Sequence, residues 1–173
     1  MTRCMVGVAL VTLAVWGGLA PRSFAAQQPE ASPDQTFAQK AVVGGWEEVQ
    51  LGKLAAERAA SPDVKQFGQR MVADHDQANR ELMALVKQKG LTVPTAPDPQ
   101  HQEEATRLAT LHGAAFDRAY LQQMVRDHED DVRLFRTQAQ EGRDPELKRF
   151  AAATLPTLEE HLQMVRDLAK QHL

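Results

Sequence analysis

Glu48, His75, His128 and His161 are the side chains whose type and spacing suit a metal ion. Each interrupts the apolar stripe of a different predicted helix. A carboxylate or imidazole on a buried stripe is unfavourable unless something satisfies it, so four at one depth ask for a common partner. One carboxylate and three imidazoles can hold a single Zn, Fe, Mn or Cu ion. The same four can instead satisfy one another, an imidazolium balancing the carboxylate. The residues leave both readings open.

Their common depth follows from two look-alike helix starts. Ser61-Pro62-Asp63-Val64-Lys65, with Phe67, mirrors Asp144-Pro145-Glu146-Leu147-Lys148, with Phe150. Each offers a capping oxygen, a proline for the first turn and an acid for the positive end of the helix dipole. Glu48 lies 14 residues before Pro62 and His75 13 after it; His128 lies 17 before Pro145 and His161 16 after it. Within each antiparallel hairpin the two side chains therefore face each other near mid-length. The three-residue difference between hairpins amounts to about 4.5 Å of helix rise.

The elements that position them are helices expected over 36–60, 62–89, 114–141 and 145–171. On the second, for example, Val64, Gly68, Met71, His75, Ala78, Leu82 and Leu85 recur at alternating steps of three and four. A proline-bearing loop follows at 90–99, then a short helix at 101–111 closed by Gly113. No strand-like alternation occurs. Two related hairpins joined by a crossover of more than 20 residues describe an all-α, ferritin-like four-helix bundle with a short extra helix.

Neighbouring residues refine the chemistry. Val72, Val125 and Leu158 stand three positions before the histidines, so the Glu-x-x-His pairs of di-iron carboxylate bundles are absent. Met71, Met124 and Met164 each lie one turn from a histidine. Their sulfur would favour Cu(I), and methionine also serves as plain core filler. Asp74 and Asp127 precede histidines and are read as solvated acids beside Arg70 and Arg126, with support of an imidazole as the alternative. Glu129-Asp130-Asp131 reads as a solvated helix face, and His101, His112 and His172 as loop and terminal residues. Pro156 should kink the last helix. No Gly-x-Ser-x-Gly turn, glycine-rich phosphate loop or acid–base pair in a cleft marks an enzyme.

The ends and composition bound the setting. Residues 1–25 read as a cleaved secretory signal: Arg3, then the 16 apolar-rich residues Met5 to Ala20, then Ser23-Phe24-Ala25. That run is shorter than the roughly 20 residues a spanning helix needs. The only cysteine, Cys4, lies inside this segment, so the exported chain would rely on its core rather than on disulfides. Residues 26–35 read as a flexible leader and 36–173 as the bundle. Without Arg3 and Arg22 the chain carries 18 basic against 23 acidic side chains, a net charge of −5. Nucleic acid and anionic membrane surfaces are thereby disfavoured as partners, and no stable membrane insertion is expected after cleavage. The expected location is periplasmic or secreted; protein partner and oligomeric state are not fixed by the sequence.

Gly44-Gly45-Trp46-Glu47-Glu48, Met71-Val72-Ala73-Asp74-His75, Gly113-Ala114-Ala115-Phe116-Asp117-Arg118-Ala119-Tyr120 and Thr154-Leu155-Pro156 with His161 carry a family resemblance. Over about residues 35–171 the chain resembles the domain of unknown function 4142 family, exported bacterial proteins often labelled outer-membrane proteins. The resemblance implies a ferritin-like bundle in the bacterial envelope and supplies no reaction. Where the family pattern has its glutamate, histidines and Phe-Asp-x-x-Tyr, this chain has Glu48, His75, His128, His161, Phe116, Asp117 and Tyr120. No β-barrel pattern accompanies the outer-membrane label. Two functions stay in play: a periplasmic bundle holding one transition metal ion, or a metal-free structural or stress-related envelope protein acting through its surface.

Overall fold

The computed structural model describes residues 32–97 and 99–172. The proposed signal and the leader up to residue 31 lie outside the described residues. Five helices follow in order: α1 (Pro33–Arg58), α2 (Pro62–Lys89), α3 (Pro99–Ala109), α4 (Gly113–Glu141) and α5 (Pro145–His172). The four long ones form the expected all-α, ferritin-like bundle. The pairs α1/α2 and α4/α5 make the hairpins, and α1 against α4 and α2 against α5 close the ring. The segment 90–112 runs the length of the bundle between the hairpins, with α3 seated on α1 and α4.

Helix α1 begins at Pro33, inside the segment assigned above to the leader. Ser32 caps it, accepting from Gln35 N–H at 3.1 Å, and Pro33 fills the first turn. Ser32-Pro33-Asp34 is thus a third copy of the start found at Ser61-Pro62-Asp63, a signal the sequence carried. Asp34 turns inward to hold the far hairpin. Its Oδ1 accepts from Arg143 N–H at 3.0 Å and the Gln138 amide at 2.7 Å, its Oδ2 from Asp144 N–H at 3.0 Å. Asp117, near the start of α4, mirrors it by accepting from Ala60 N–H and Ser61 N–H at 2.9 Å each. Each hairpin turn is therefore tied down by a buried acid from the other hairpin.

Apolar residues at helical spacing fill two end layers. Phe37 packs edge-on to Phe135 and Phe150 at one end, with Phe37 and Phe135 centroids 5.1 Å apart and Phe135 tilted against Phe150. Phe67, Phe116 and Tyr120 pack near the other, Phe116 stacked on Tyr120 at 5.7 Å. Burying each phenylalanine contributes roughly 1.5–3 kcal/mol. Close approach of α1 and α2 depends on Gly52 and Gly68: a Cβ on Gly52 would lie 2.7 Å from the Gly68 carbonyl oxygen. The polar layer lies between the two aromatic layers.

Candidate metal centre

That middle layer collects all four candidate side chains, one from each long helix. Glu48 is 1 % exposed, His75 5 %, and His128 and His161 0 %. The three imidazole rings form a triangle with centroid separations of 5.6, 5.4 and 5.4 Å. One nitrogen of each lies within 4.8 Å of the other two. Gly45 leaves room for Asn79 beside the Glu48–His75 contact, since a Cβ there would lie 2.1 Å from the Asn79 amide oxygen.

Each ring has one nitrogen engaged. Nδ1 of His75 is 2.8 Å from Oε2 of Glu48. Nδ1 of His128 is 3.0 Å from the Met124 carbonyl oxygen and 3.3 Å from Oε1 of Glu48. Nε2 of His161 is 2.8 Å from Oδ2 of Asp74. The remaining nitrogens, His75 Nε2, His128 Nε2 and His161 Nδ1, are buried without any hydrogen-bond partner. Glu48 therefore sits at Nδ1 of His75 and of His128, and among the described residues it is the three histidines that form a group able to surround an ion.

Burial sets the charge state. It lowers the His128 pKa to about 3, with the neighbouring His75 and His161 adding to the shift, and that of His161 to about 4 against the opposing pull of Asp74. His75 is lowered too, chiefly by burial. The rings are neutral near pH 7, the state that binds metals. Burial also pushes Glu48 well up, with Asp127 and Glu47 contributing.

Several surrounding residues differ from their sequence assignments. Asp74 bonds the His161 ring as well as Arg70, whose Nε lies 3.2 Å from the same oxygen. Asp127 is no solvated acid beside Arg126: Oδ1 accepts from the Gln123 amide at 2.8 Å, and Oδ2 is buried. Asp131 leaves the solvated face to meet Glu48, and burial together with that neighbour pushes its pKa well up. His101 is no loop residue; it sits on α3, 2.8 Å from Glu47 of α1. Acid triplets and histidines near loops carry no phase of their own, so their facing appears only once the helices are placed. Of the methionines, Met71 and Met124 are fully buried, and Met164 sulfur accepts from Arg70 Nη1 at 3.2 Å.

The fold and the site together define a ferritin-like bundle with a buried three-histidine cluster. The chain belongs to the domain of unknown function family DUF4142, whose model matches residues 19–168. No curated protein matches it in sequence. Among solved structures it is similar to a DUF305 fragment from Deinococcus radiodurans, 18 % identical, covering 83 % of this chain and 99 % of that one with a TM-score of 0.71. It is also similar to CopM in the Cu(I)-bound form, 17 % identical, covering 80 % and 96 % with a TM-score of 0.67. CopM in the Cu(II)-bound form gives 19 % identity, 80 % and 96 % coverage, and a TM-score of 0.68. At these identities the likeness concerns the fold. Among the described residues no helix is long and apolar enough to cross a membrane.

Proposed function

We propose that this protein is exported and binds one transition metal ion through His75, His128 and His161, copper being the ion that fits best. Two observations carry the reading: one nitrogen of each ring lies at metal-holding distance from the other two, and each ring has a buried nitrogen without a partner while its other nitrogen is engaged. Imidazoles that ligate metals are ordinarily held this way, by a carboxylate or carbonyl on the second nitrogen. Glu48, Met124 and Asp74 take that part, so Glu48 orients ligands rather than joining them. Ferrous sites of two histidines and a carboxylate need that carboxylate among the ligands, and Glu48 lies on the outer side. Copper suits a neutral all-imidazole set with methionines one helical turn away, and CopM, of similar fold, is known in copper- and silver-bound forms. Export is supported by the amino-terminal signal pattern.

Protein purified without an affinity tag tests this. Copper should bind at one ion per chain and raise the melting temperature, by about 2.7 kcal/mol of stabilisation at roughly a hundred times Kd. His75→Ala and His161→Ala should remove that rise. A protein whose melting ignores Cu, Zn, Fe and Mn alike would overturn the reading in favour of a metal-free polar network.

A further inference from the structure

The histidine cluster can be approached from two sides, and they differ in charge. On the α2–α5 side the outer nitrogen of His161 meets Asp74, and that carboxylate carries the Arg70 guanidinium. Arg70 is fixed there by Glu160 at 2.9 Å and by the Met164 sulfur at 3.2 Å. On this side the carboxylates of Asp74 and Glu160 are already paired with the guanidinium, which leaves them less free to collect a cation.

On the other side a cleft of about 710 Å³ opens between α1, the crossover segment and α4, with five carboxylates and two basic side chains in its lining. Its most buried acid is Glu48, 1 % exposed. Glu48 also lies 2.8 Å from His75 and 3.3 Å from His128, so it belongs to the cleft and to the cluster at once. Asp131 meets Glu48, and Asp127 offers a buried oxygen without a hydrogen-bond partner. The lining is of mixed sign with an excess of acids, and an excess of one sign in a cleft concentrates counter-ions and speeds their association.

Resting on the three-histidine reading, we propose that this cleft is the entrance to the metal site. A hydrated cation collects against Asp127 and Asp131 and passes Glu48 to reach the imidazoles. Glu48 is thus the hinge of charge between an acidic vestibule and a neutral binding site.

Stopped-flow loading of the full chain with aqueous copper(II), followed by quenching of tryptophan fluorescence, tests the route. At pH 8, above the raised pKa of Asp127, Asp127→Asn combined with Asp131→Asn should slow association severalfold at low salt, with the difference shrinking as salt is added. Stoichiometry should stay at one ion. Asp63→Asn with Asp167→Asn, the same charge removed from the α2–α5 side, should load at the wild-type rate. Lys40→Glu changes only an exposed residue of the cleft and should speed low-salt loading severalfold. Unchanged loading in the Asp127/Asp131 variant, equal slowing in the control pair, or no acceleration in Lys40→Glu each overturns the entrance while leaving the histidine site standing. A wild type that takes up no ion overturns both.

Discussion

Asp34 and Asp117 are nearly as buried as the middle layer, at 9 % and 3 % exposure, yet every oxygen they carry accepts from a backbone N–H of a hairpin turn. Half a bundle away, three imidazoles keep an inner nitrogen with no partner at all. Both regions place polar groups inside a helical bundle, and only one of them is satisfied by the chain itself. An acid that closes backbone donors is explained by folding. A buried donor or acceptor left open costs free energy in the free protein, so a partner supplied from outside the chain would stabilise this layer and not the other.

The largest expected effect breaks the contrast at its centre. His128→Leu should abolish tight copper binding, a loss beyond the about 10–100-fold that a residue supporting a ligand costs. It should cost the metal-free protein no more than about 2 kcal/mol, because apolar atoms replace the unpartnered Nε2 while the Nδ1 contacts to the Met124 carbonyl and Glu48 are lost. Isothermal titration and urea unfolding of the same preparation read both quantities. A variant that unfolds several kcal/mol sooner without metal would show the imidazole to be structural.

Asp117→Ala and Asp34→Ala should do the converse. Each removes two hydrogen bonds from backbone N–H groups to a charged acceptor and should lower stability by about 3 kcal/mol in urea unfolding. Copper affinity of the folded fraction should not change. Altered affinity would mean the bundle ends and its middle are coupled.

Glu48→Gln is a smaller change. It keeps the shape and weakens the hold on His75 and His128, so copper affinity should fall about 10–100-fold by competition titration while stoichiometry stays at one. Loss of all binding in Glu48→Gln would instead make the carboxylate a ligand.

Much of this layout is legible in the chain. The stripes and the matched Pro62 and Pro145 starts lead to four helices and two hairpins, and interruptions of those stripes lead to Glu48, His75, His128 and His161. What the pattern lacks is the direction in which each ring nitrogen points. Periodicity places a side chain on a face, but the difference between Glu48 as ligand and Glu48 as support lies in about one bond length of reach and a ring flip. Asp131 and Asp127 escaped for a related reason: adjacent acids on a helix differ by about 100° in facing, and only a packed partner such as Glu48 selects the inward one. Asp34 escaped because Pro33 reads as leader unless Ser32 is taken as its cap.

The smallest predicted effect is a near cancellation with pH. His128 and His161, with pKa values near 3 and 4, and His75, also lowered, stay neutral in the fold while the unfolded chain protonates near 6.5. They therefore contribute stability that is lost as pH falls from about 6.5 towards 4. Glu48, Asp131 and Asp127, the last raised to about 7 chiefly by burial, act oppositely, contributing stability that is lost as pH rises from about 4 towards 7. Three imidazoles against three carboxylates should leave the metal-free protein with a shallow stability profile between about pH 4 and 7. Asp127→Asn removes one of the opposing contributions, so its stability should climb more steeply with pH and gain on wild type at pH 7 relative to pH 4. Urea midpoints across that window would register the change in slope. Parallel profiles for the two proteins would mean that Asp127 titrates alike in the folded and unfolded chain, and that the vestibule acids are better hydrated than their burial indicates.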